Sequence, residues 1–348
     1  MQFLNPRGCV TVAGSLLLLL QPLGLAATAW AQVVVPGTGI RADNAGDDFE
    51  DEKWAYVFKN PKSSHEQDEQ MRVPAGHSTN GRWSESAKRG HPDVIKRVPT
   101  PPDGLPGSEG ALLIQTLSSG VPGNISGQNQ QDDLICNVSN RIGGYIPVSS
   151  SPNMVVRVAV PPFEKWEQRQ GNSFGVRLSI DGAKYDGTRD TYWPGIFIYY
   201  FPPTSARGKD GKMQPRESYA QLVIRAGPVG QDLWGPKITE PGWWTLGMSC
   251  SPDGMIHYFA HAGVEDLTRE DLISSQAPYG FRAERFQSLF FDVVNRDDGY
   301  SWSTSWIIDD PTLYYAKKPT NGGAPSYGPH EKSKDTGGGG RGLFGRRR

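Results

Sequence analysis

Cysteine is scarce in this chain, with three in 348 residues, and the two that follow the N-terminal segment, Cys136 and Cys250, stand far apart. No Cys-x-x-Cys pair and no Cys/His ligand spacing is present, so a zinc-knuckle or thioredoxin-like site is excluded. Charge of one sign is also lacking: 36 Lys and Arg against 37 Asp and Glu give a formal net charge of -1. A nucleic-acid partner, which needs a basic face, is therefore not expected. Long apolar runs are absent after the N-terminus, and no extended stretch repeats apolar residues at helical spacing. A helical bundle and a later membrane span are both excluded on that ground.

What the chain has instead is 42 Gly and 28 Pro among short apolar alternating runs, a composition of strands joined by turns. Arg7, the apolar run Val10 to Leu20 and the small residues of Ala29-Trp30-Ala31 form an export signal over 1–31, whose removal leaves Gln32 first. That run is broken by Gln21-Pro22 and falls short of the ~20 residues a bilayer span requires. Cys9 leaves with it. The compartment expected is secreted, periplasmic or cell-surface, where Cys136 and Cys250 could pair or remain buried thiols. A linker is expected over 32–46, a single β domain over 47–316 and a flexible, Gly-rich, basic tail over 317–348, ending in Arg346-Arg347-Arg348.

Within the domain, Trp244, Leu246, Met248 and Cys250 alternate onto one face, and Ser251-Pro252-Asp253-Gly254 turns the chain into Met255 to His261, so a hairpin is predicted. Trp243 then points to the other face. Thr268 with Asp271 three residues later caps a short helix. Further strands are predicted at Ala111–Leu117, Asp132–Cys136, Asn153–Val160, Phe174–Ile180, Gly195–Phe201, Gln221–Arg225 and Phe286–Val294, with a last one, Trp306–Tyr315, bulged or at an edge because Pro311 cannot donate to a ladder. Lys59 to Gly110, rich in proline, is expected to cross the surface as a long loop. The fold class is all-β, an antiparallel sandwich with long loops and one or two short helices.

The Asp-Phe-Glu opening at Asp48–Glu50, the Trp-Trp-Thr-Leu strand at Trp243–Leu246, the Pro-Asp-Gly hairpin leading to Ile256-His257-Tyr258-Phe259-Ala260, and the Ile-Asp-Asp-Pro-Thr-Leu finish at Ile308–Leu313 together resemble the concanavalin A-like lectin/glucanase superfamily, which includes laminin G-like and jelly-roll carbohydrate-binding domains. The resemblance covers Asp47 to Ala316 and implies two antiparallel sheets, a glycan-facing concave sheet or loop rim, and a structural calcium where first and last strands meet. Asp48, Glu50, Asp309 and Asp310 are the matching oxygen donors, and no other cofactor is expected.

For a polysaccharide or cell-surface glycan, flat aromatic faces are required, and Trp193, Trp243, Tyr300 and Trp302 are the candidates, with Trp306 behind them. The superfamily's hydrolases carry a Glu-x-Asp-x-x-Glu strand, which this chain lacks. Its lyases use Arg, Gln, His and Tyr, for which Arg157, Arg177, His257 and Tyr258 are available here without the matching strand motifs. His257 and His261 share a strand face about 13 Å apart, too far to hold one metal. The function expected is therefore an exported, non-catalytic glycan-binding protein. A lyase or hydrolase with an atypical site, and a structural envelope protein, are the alternatives.

Overall fold

The computed structural model describes residues 33–136, 138–207 and 212–319. The expected signal over 1–31 and the tail from residue 320 onward lie outside the described residues. Apolar and polar positions alternate through Gly171–Ala183 and Arg282–Arg296, thirteen and fifteen residues long, and these two strands pair antiparallel at the centre of an eleven-stranded sheet. Its order is Asp232–Ile238, Tyr219–Arg225, Gly195–Phe201, Gly171–Ala183, Arg282–Arg296, Asn129–Cys136, Trp83–Glu85, His77–Ser78 and Tyr56–Val57, with Arg189–Tyr192 and Ile146–Pro147 attached at the sides. An eight-stranded antiparallel sheet runs Leu272–Gln276, Ile256–Ala262, Gly242–Cys250, Pro152–Val160, Trp306–Tyr315, Gly110–Gln115 and Val94–Pro99, with Ile40–Gly46 also paired to Trp306–Tyr315. The protein is an antiparallel β-sandwich.

The core forms because each sheet turns one apolar face inward. Phe174, Val176, Leu178 and Ile180 meet Leu289, Phe291 and Val293 on one side, and Val156, Val158, Trp306 and Ile308 on the other belong to the same buried cluster. Aromatic rings carry the contact across: Phe174 stacks on Trp306 at 5.0 Å and on Phe291 at 5.9 Å, and Phe291 stacks on Trp83 at 5.2 Å. The hairpin is present, with Trp244 opposite Ala262 and Cys250 opposite Ile256, and its inward face is the expected Trp244, Leu246, Met248 and Cys250. Thr268 and Asp271 make the reciprocal cap, on a turn of 3-10 helix at Arg269–Asp271. The last strand is bulged rather than at an edge: its register slips between Asp309 and Thr312, and Asp310 takes φ 43° beside the proline that has no N–H to give.

Four expectations are corrected. The linker over 32–46 is part of the sandwich, because Val33 and Val35 pack on Val155, Phe259 and Leu267, and Ile40–Gly46 is a strand. The Val34 carbonyl accepts the Ser249 hydroxyl at 2.7 Å, so this segment covers the outer face of the eight-stranded sheet. The Lys59–Gly110 loop contains strands Trp83–Glu85 and Val94–Pro99 and buries Lys62, Ser63, Ser64 and His91. Cys136 and Cys250 do not pair: both are free and buried in strands of opposite sheets, and burial pushes each thiol up to about 12. Cys136 instead accepts the Gly46 amide at 3.2 Å. Trp306 is wholly buried in the core and offers no face to a ligand.

Among the described residues no helix is long and apolar enough to cross a membrane. Gly46, at φ +82°, lies so close to the Pro311 carbonyl that any Cβ would collide with its oxygen. Gly46→Ala should therefore cost on the order of 3 kcal/mol, left-handed strain plus displacement of a central strand. Urea unfolding measures this, and an unchanged midpoint would refute the packing described.

Candidate functional site

Alternation along four neighbouring strands places a second set of side chains on the face of the eleven-stranded sheet that points away from the core. From Asn129–Cys136 these are Gln131, Asp133 and Ile135; from Arg282–Arg296, Phe290 and Asp292; from Gly171–Ala183, Arg177 and Ser179; from Gly195–Phe201, Phe197 and Tyr199. Register fixes their neighbours, since Asp292 lies opposite Asp133, Gly175 lies opposite both Asp292 and Phe197, and Arg177 lies opposite Phe290. Gly175 is glycine for a reason visible here: a Cβ would meet the Phe197 ring at 2.8 Å, and the ring lies across that strand.

Two cavities open on this face. The inner one, about 670 Å³, is lined by Asp133, Arg177, Trp193, Tyr279, Gln287 and Phe290 among others. The outer one, about 440 Å³, takes in Arg169, Gln170, Asn172, Phe197 and Tyr199. Arg89, Gln131 and Arg225 line both, so the two form one groove across the strands. Arg177 is the pivot of the inner end. Its guanidinium lies between Phe197 and Phe290, 5.4 and 5.3 Å from their ring centres, donates to the Trp193 carbonyl at 2.7 Å and meets Asp292 at 3.3 Å. Asp133 accepts from the Gln131 amide at 2.9 Å. Burial and the facing Asp292 hold the Asp133 carboxyl well above the usual carboxylate range, with Arg89 and Arg177 opposing. The second oxygen of Asp292 has no hydrogen-bond partner. The inner end therefore carries an acid with a raised pKa beside a second acid paired to arginine, groups of the kind that proton transfer uses.

Beyond the outer cavity the aromatic side chains continue. Tyr199 meets Trp234 edge-on at 5.4 Å, Phe201 stacks on Tyr219 at 4.5 Å, and Trp234 is 56% exposed. This strip was not named from the sequence, nor were Asp133, Asp292, Arg89, Arg225 or Tyr279. The signal that could have found the acids is an aspartate in mid-strand at the alternating position, in Gln131-Asp133-Ile135 and Phe290-Asp292-Val294.

The four candidate catalytic residues do not come together. Arg177 is in the groove, whereas Arg157 lies in the other sheet, paired with Asp266 at 2.7 Å and with Asp310 at 3.5 Å. His257 is buried and exchanges hydrogen bonds with the Ser275 and Ser251 hydroxyls at 2.8 and 2.9 Å, and burial lowers its pKa. It clamps the hairpin turn. Tyr258 is wholly buried in the core, where burial raises its pKa far above the normal value. The aromatic candidates also scatter. Trp193 lines the groove under the Lys88 ammonium, 4.1 Å from its ring. Trp243 does point away from the core but is covered, its indole N–H donating to the Pro102 carbonyl at 3.1 Å. One edge of it lines a separate cavity of about 800 Å³ walled by Pro101, Pro102, Pro161 and Pro241. Tyr300 and Trp302 are exposed, and line neither the groove nor that cavity.

Asp48, Glu50, Asp309 and Asp310 do share one small pocket, of about 190 Å³. Their oxygens are largely spoken for: Glu50 accepts the Glu109 amide at 3.1 Å, Asp48 accepts the Glu50 amide at 3.3 Å, and Asp310 faces Arg41 and Arg157. Among the described residues no three such side chains close on a common point as metal ligands. The set does not fit a calcium cage. Asp309, fully buried with neither oxygen partnered, is the exception, and burial pushes it up to about 6, helped by Asp310 and Glu50 and opposed by the Ser108 hydroxyl, which is itself engaged by Thr100 and Gly110.

No protein-family model and no curated protein sequence matches the chain. Solved structures similar to it include a carbohydrate esterase of the Shiga toxin-encoding bacteriophage phi24B, at 11% identity over 72% of this chain and 95% of that one, with a TM-score of 0.39. An alginate lyase from Pseudomonas aeruginosa is 10% identical over 64% of this chain and 86% of that one (TM-score 0.37). A PL7 alginate lyase from Zobellia galactanivorans is 11% identical over 75% and 93% (TM-score 0.35). At such identity and superposition they carry no residue roles over to this chain.

An acid whose folded-state pKa is raised binds its proton more tightly in the native state, so stability is lost as pH climbs from the ordinary carboxylate value through about 6. Asp309→Asn should then raise the melting midpoint at pH 8, by roughly 2–4 °C, with the gain fading below about pH 5. A chelator should leave both proteins unchanged. If the chelator lowered the wild-type midpoint instead, the four acids would hold a cation after all.

Proposed function

We propose that this is an exported protein of the cell surface or its surroundings that binds an acidic polysaccharide along the groove of its eleven-stranded sheet. The observation that carries this is the continuity of the two cavities through Arg89, Gln131 and Arg225, which makes an open track several strands wide rather than a closed pocket. Such a track suits a chain-like ligand. Its outer part is lined by Arg89, Arg169 and Arg225 and by no carboxylate, although each arginine is also paired with an acid, Glu66 at 2.9 Å, Glu167 at 3.1 Å and Asp232 at 3.1 Å, with which a ligand would share it. Planar guanidinium groups meet carboxylates with two parallel hydrogen bonds, and this is the chemistry a uronate or other acidic sugar needs. The neighbouring strip of Tyr199 and Trp234 offers flat faces for pyranose C–H edges, while Gln131, Gln170 and Asn172 supply hydrogen bonds that fix orientation.

A second reading, cleavage of the same polymer, is favoured by one feature: Asp133 and Tyr279 both line the inner cavity, with Asp292 behind Asp133. Acid–base work on a bound glycan would take place there.

Electrophoresis of the mature chain through gels cast with a polyuronate or a neutral glucan tests both. Retardation by the polyuronate alone is expected. Arg89→Ala and Arg225→Ala should each weaken it by about tenfold or more, the loss of a charge-assisted hydrogen bond, with the melting midpoint unmoved. Trp234→Ala should act in the same direction. A cleared zone in the gel, abolished by Asp133→Asn, would establish cleavage. Equal mobility in all gels would overturn the proposal.

A further inference from the structure

Lys62 is 0% exposed, as is Asp132, and the Lys62 ammonium lies 2.6 Å from Asp132 Oδ2. A third group, Asp93, approaches the same ammonium at 3.0 Å. Thr116 bridges the two acids, its hydroxyl reaching Asp132 Oδ2 and standing 3.0 Å from Asp93 Oδ2. The other oxygen of Asp132 accepts the Gly120 amide at 2.6 Å. Asp93 is itself fixed by the Leu117 and Ser118 amides at 2.7 and 2.9 Å. A lysine removed from water is costly to keep as an ion pair alone, and this one is surrounded by what its condensation with a carboxyl would need: an amine against a carboxyl, a donor on the oxygen that gains charge, and a second acid joined to both.

We propose that Lys62 and Asp132 are joined by an intramolecular isopeptide bond, formed by the protein itself with Asp93 as the proton carrier. One proton passes from Nζ to Asp132 Oδ2, giving a neutral amine and a neutral acid. The Nζ lone pair attacks Asp132 Cγ, and negative charge gathers on Oδ1, against the Gly120 N–H. The excess proton on Nζ moves to Asp93. It returns through the Thr116 hydroxyl to Oδ2, the Cγ–Oδ2 bond breaks, and water leaves. An ammonium and a carboxylate become one amide and one water, Asp93 ends as it began, and no oxidant or other reactant is consumed.

The two acids are shifted in opposite directions. Burial pushes the Asp132 carboxyl up to about 6, with Lys62 and the Gly120 amide opposing. Against the effect of its own burial, Asp93 is held below the usual carboxylate range by Lys62 and by the Ser118 and Leu117 amides, so it stands ionised, a weak base with an open site for the proton that Nζ sheds. The bond would fasten the Lys59–Gly110 segment to a central strand, in a molecule whose two buried cysteines remain apart. It does not depend on the groove or its ligand.

The test is peptide mapping of the denatured, reduced full chain by mass spectrometry. The expected product is a branched species joining the Lys62 and Asp132 peptides, lighter than the two together by one water. Separate, unmodified linear peptides would overturn the proposal, and that outcome needs no variant. Asp93→Asn, which keeps the side chain's shape, should melt cooperatively while the rate of branching falls by about a hundredfold, the usual worth of a positioned acid–base group. Full branching in that variant would remove Asp93 from the mechanism.

Discussion

The burial of Lys62, an ammonium until it condenses with Asp132, is the constraint on which one whole flank of the sandwich depends. Its ammonium cannot be hydrated, so Asp132, Asp93 and the Ser118 carbonyl must all stay within reach. Those groups belong to the strand Asn129–Cys136, the turn before strand Val94–Pro99 and the end of strand Gly110–Gln115, which lie in different sheets. One side chain thus ties both sheets and the proline-rich excursion together. The same excursion brings Arg89 to the groove and Glu85 to the Ser63 amide, so placement of part of the groove wall follows from the burial of that lysine.

The groove exists because the long central strands serve two masters. Their odd and even positions carry separate chemistries, aromatic and aliphatic toward the core, and arginine, aspartate and glutamine with Phe290 among them away from it. Packing of Phe174, Phe291 and Trp306 holds those strands to one register, and that register puts Asp133 opposite Asp292 and Arg177 beside both. A one-residue slip would exchange the faces and destroy core and groove together. Preorganisation of the site is therefore inherited from the core rather than built by loops. The acidic pocket at the first and last strands has the opposite character: it is made by a proline bulge and two loops, and Asp48, Glu50 and Asp310 are engaged by amides and arginines while Asp309 stands unpartnered.

Local pattern carried the fold far. Trp244, Leu246, Met248 and Cys250 were legible as one core face, Ser251 to Gly254 as a turn, and Thr268 with Asp271 as a cap, because each depends on neighbours in sequence. What depended on distant chain was not legible. Trp243 points away from the core as alternation requires, yet the loop at Pro101–Gly104 covers it. Val33 to Gly46 lacks a strong strand signature and is held by the outer face it covers and by Trp306–Tyr315. Lys62 in a polar, proline-rich segment carried no sign that three strands would close over it. For the site, Arg177 and Trp193 were found because arginine alternation and an aromatic next to proline are visible locally. Asp133 and Asp292 were not, since their meaning comes from a cross-strand register between residues 159 positions apart.

The most direct measurement of the central claim is solvent-accessible covalent labelling of tryptophan and tyrosine with and without a polyuronate oligosaccharide. Protection is expected at Trp193, Tyr199 and Trp234, along the groove and its aromatic strip, with Tyr300 and Trp302 labelled as before. Protection confined to Tyr300 and Trp302, or to Trp243 in its proline-walled cavity, would place the ligand elsewhere and contradict that claim.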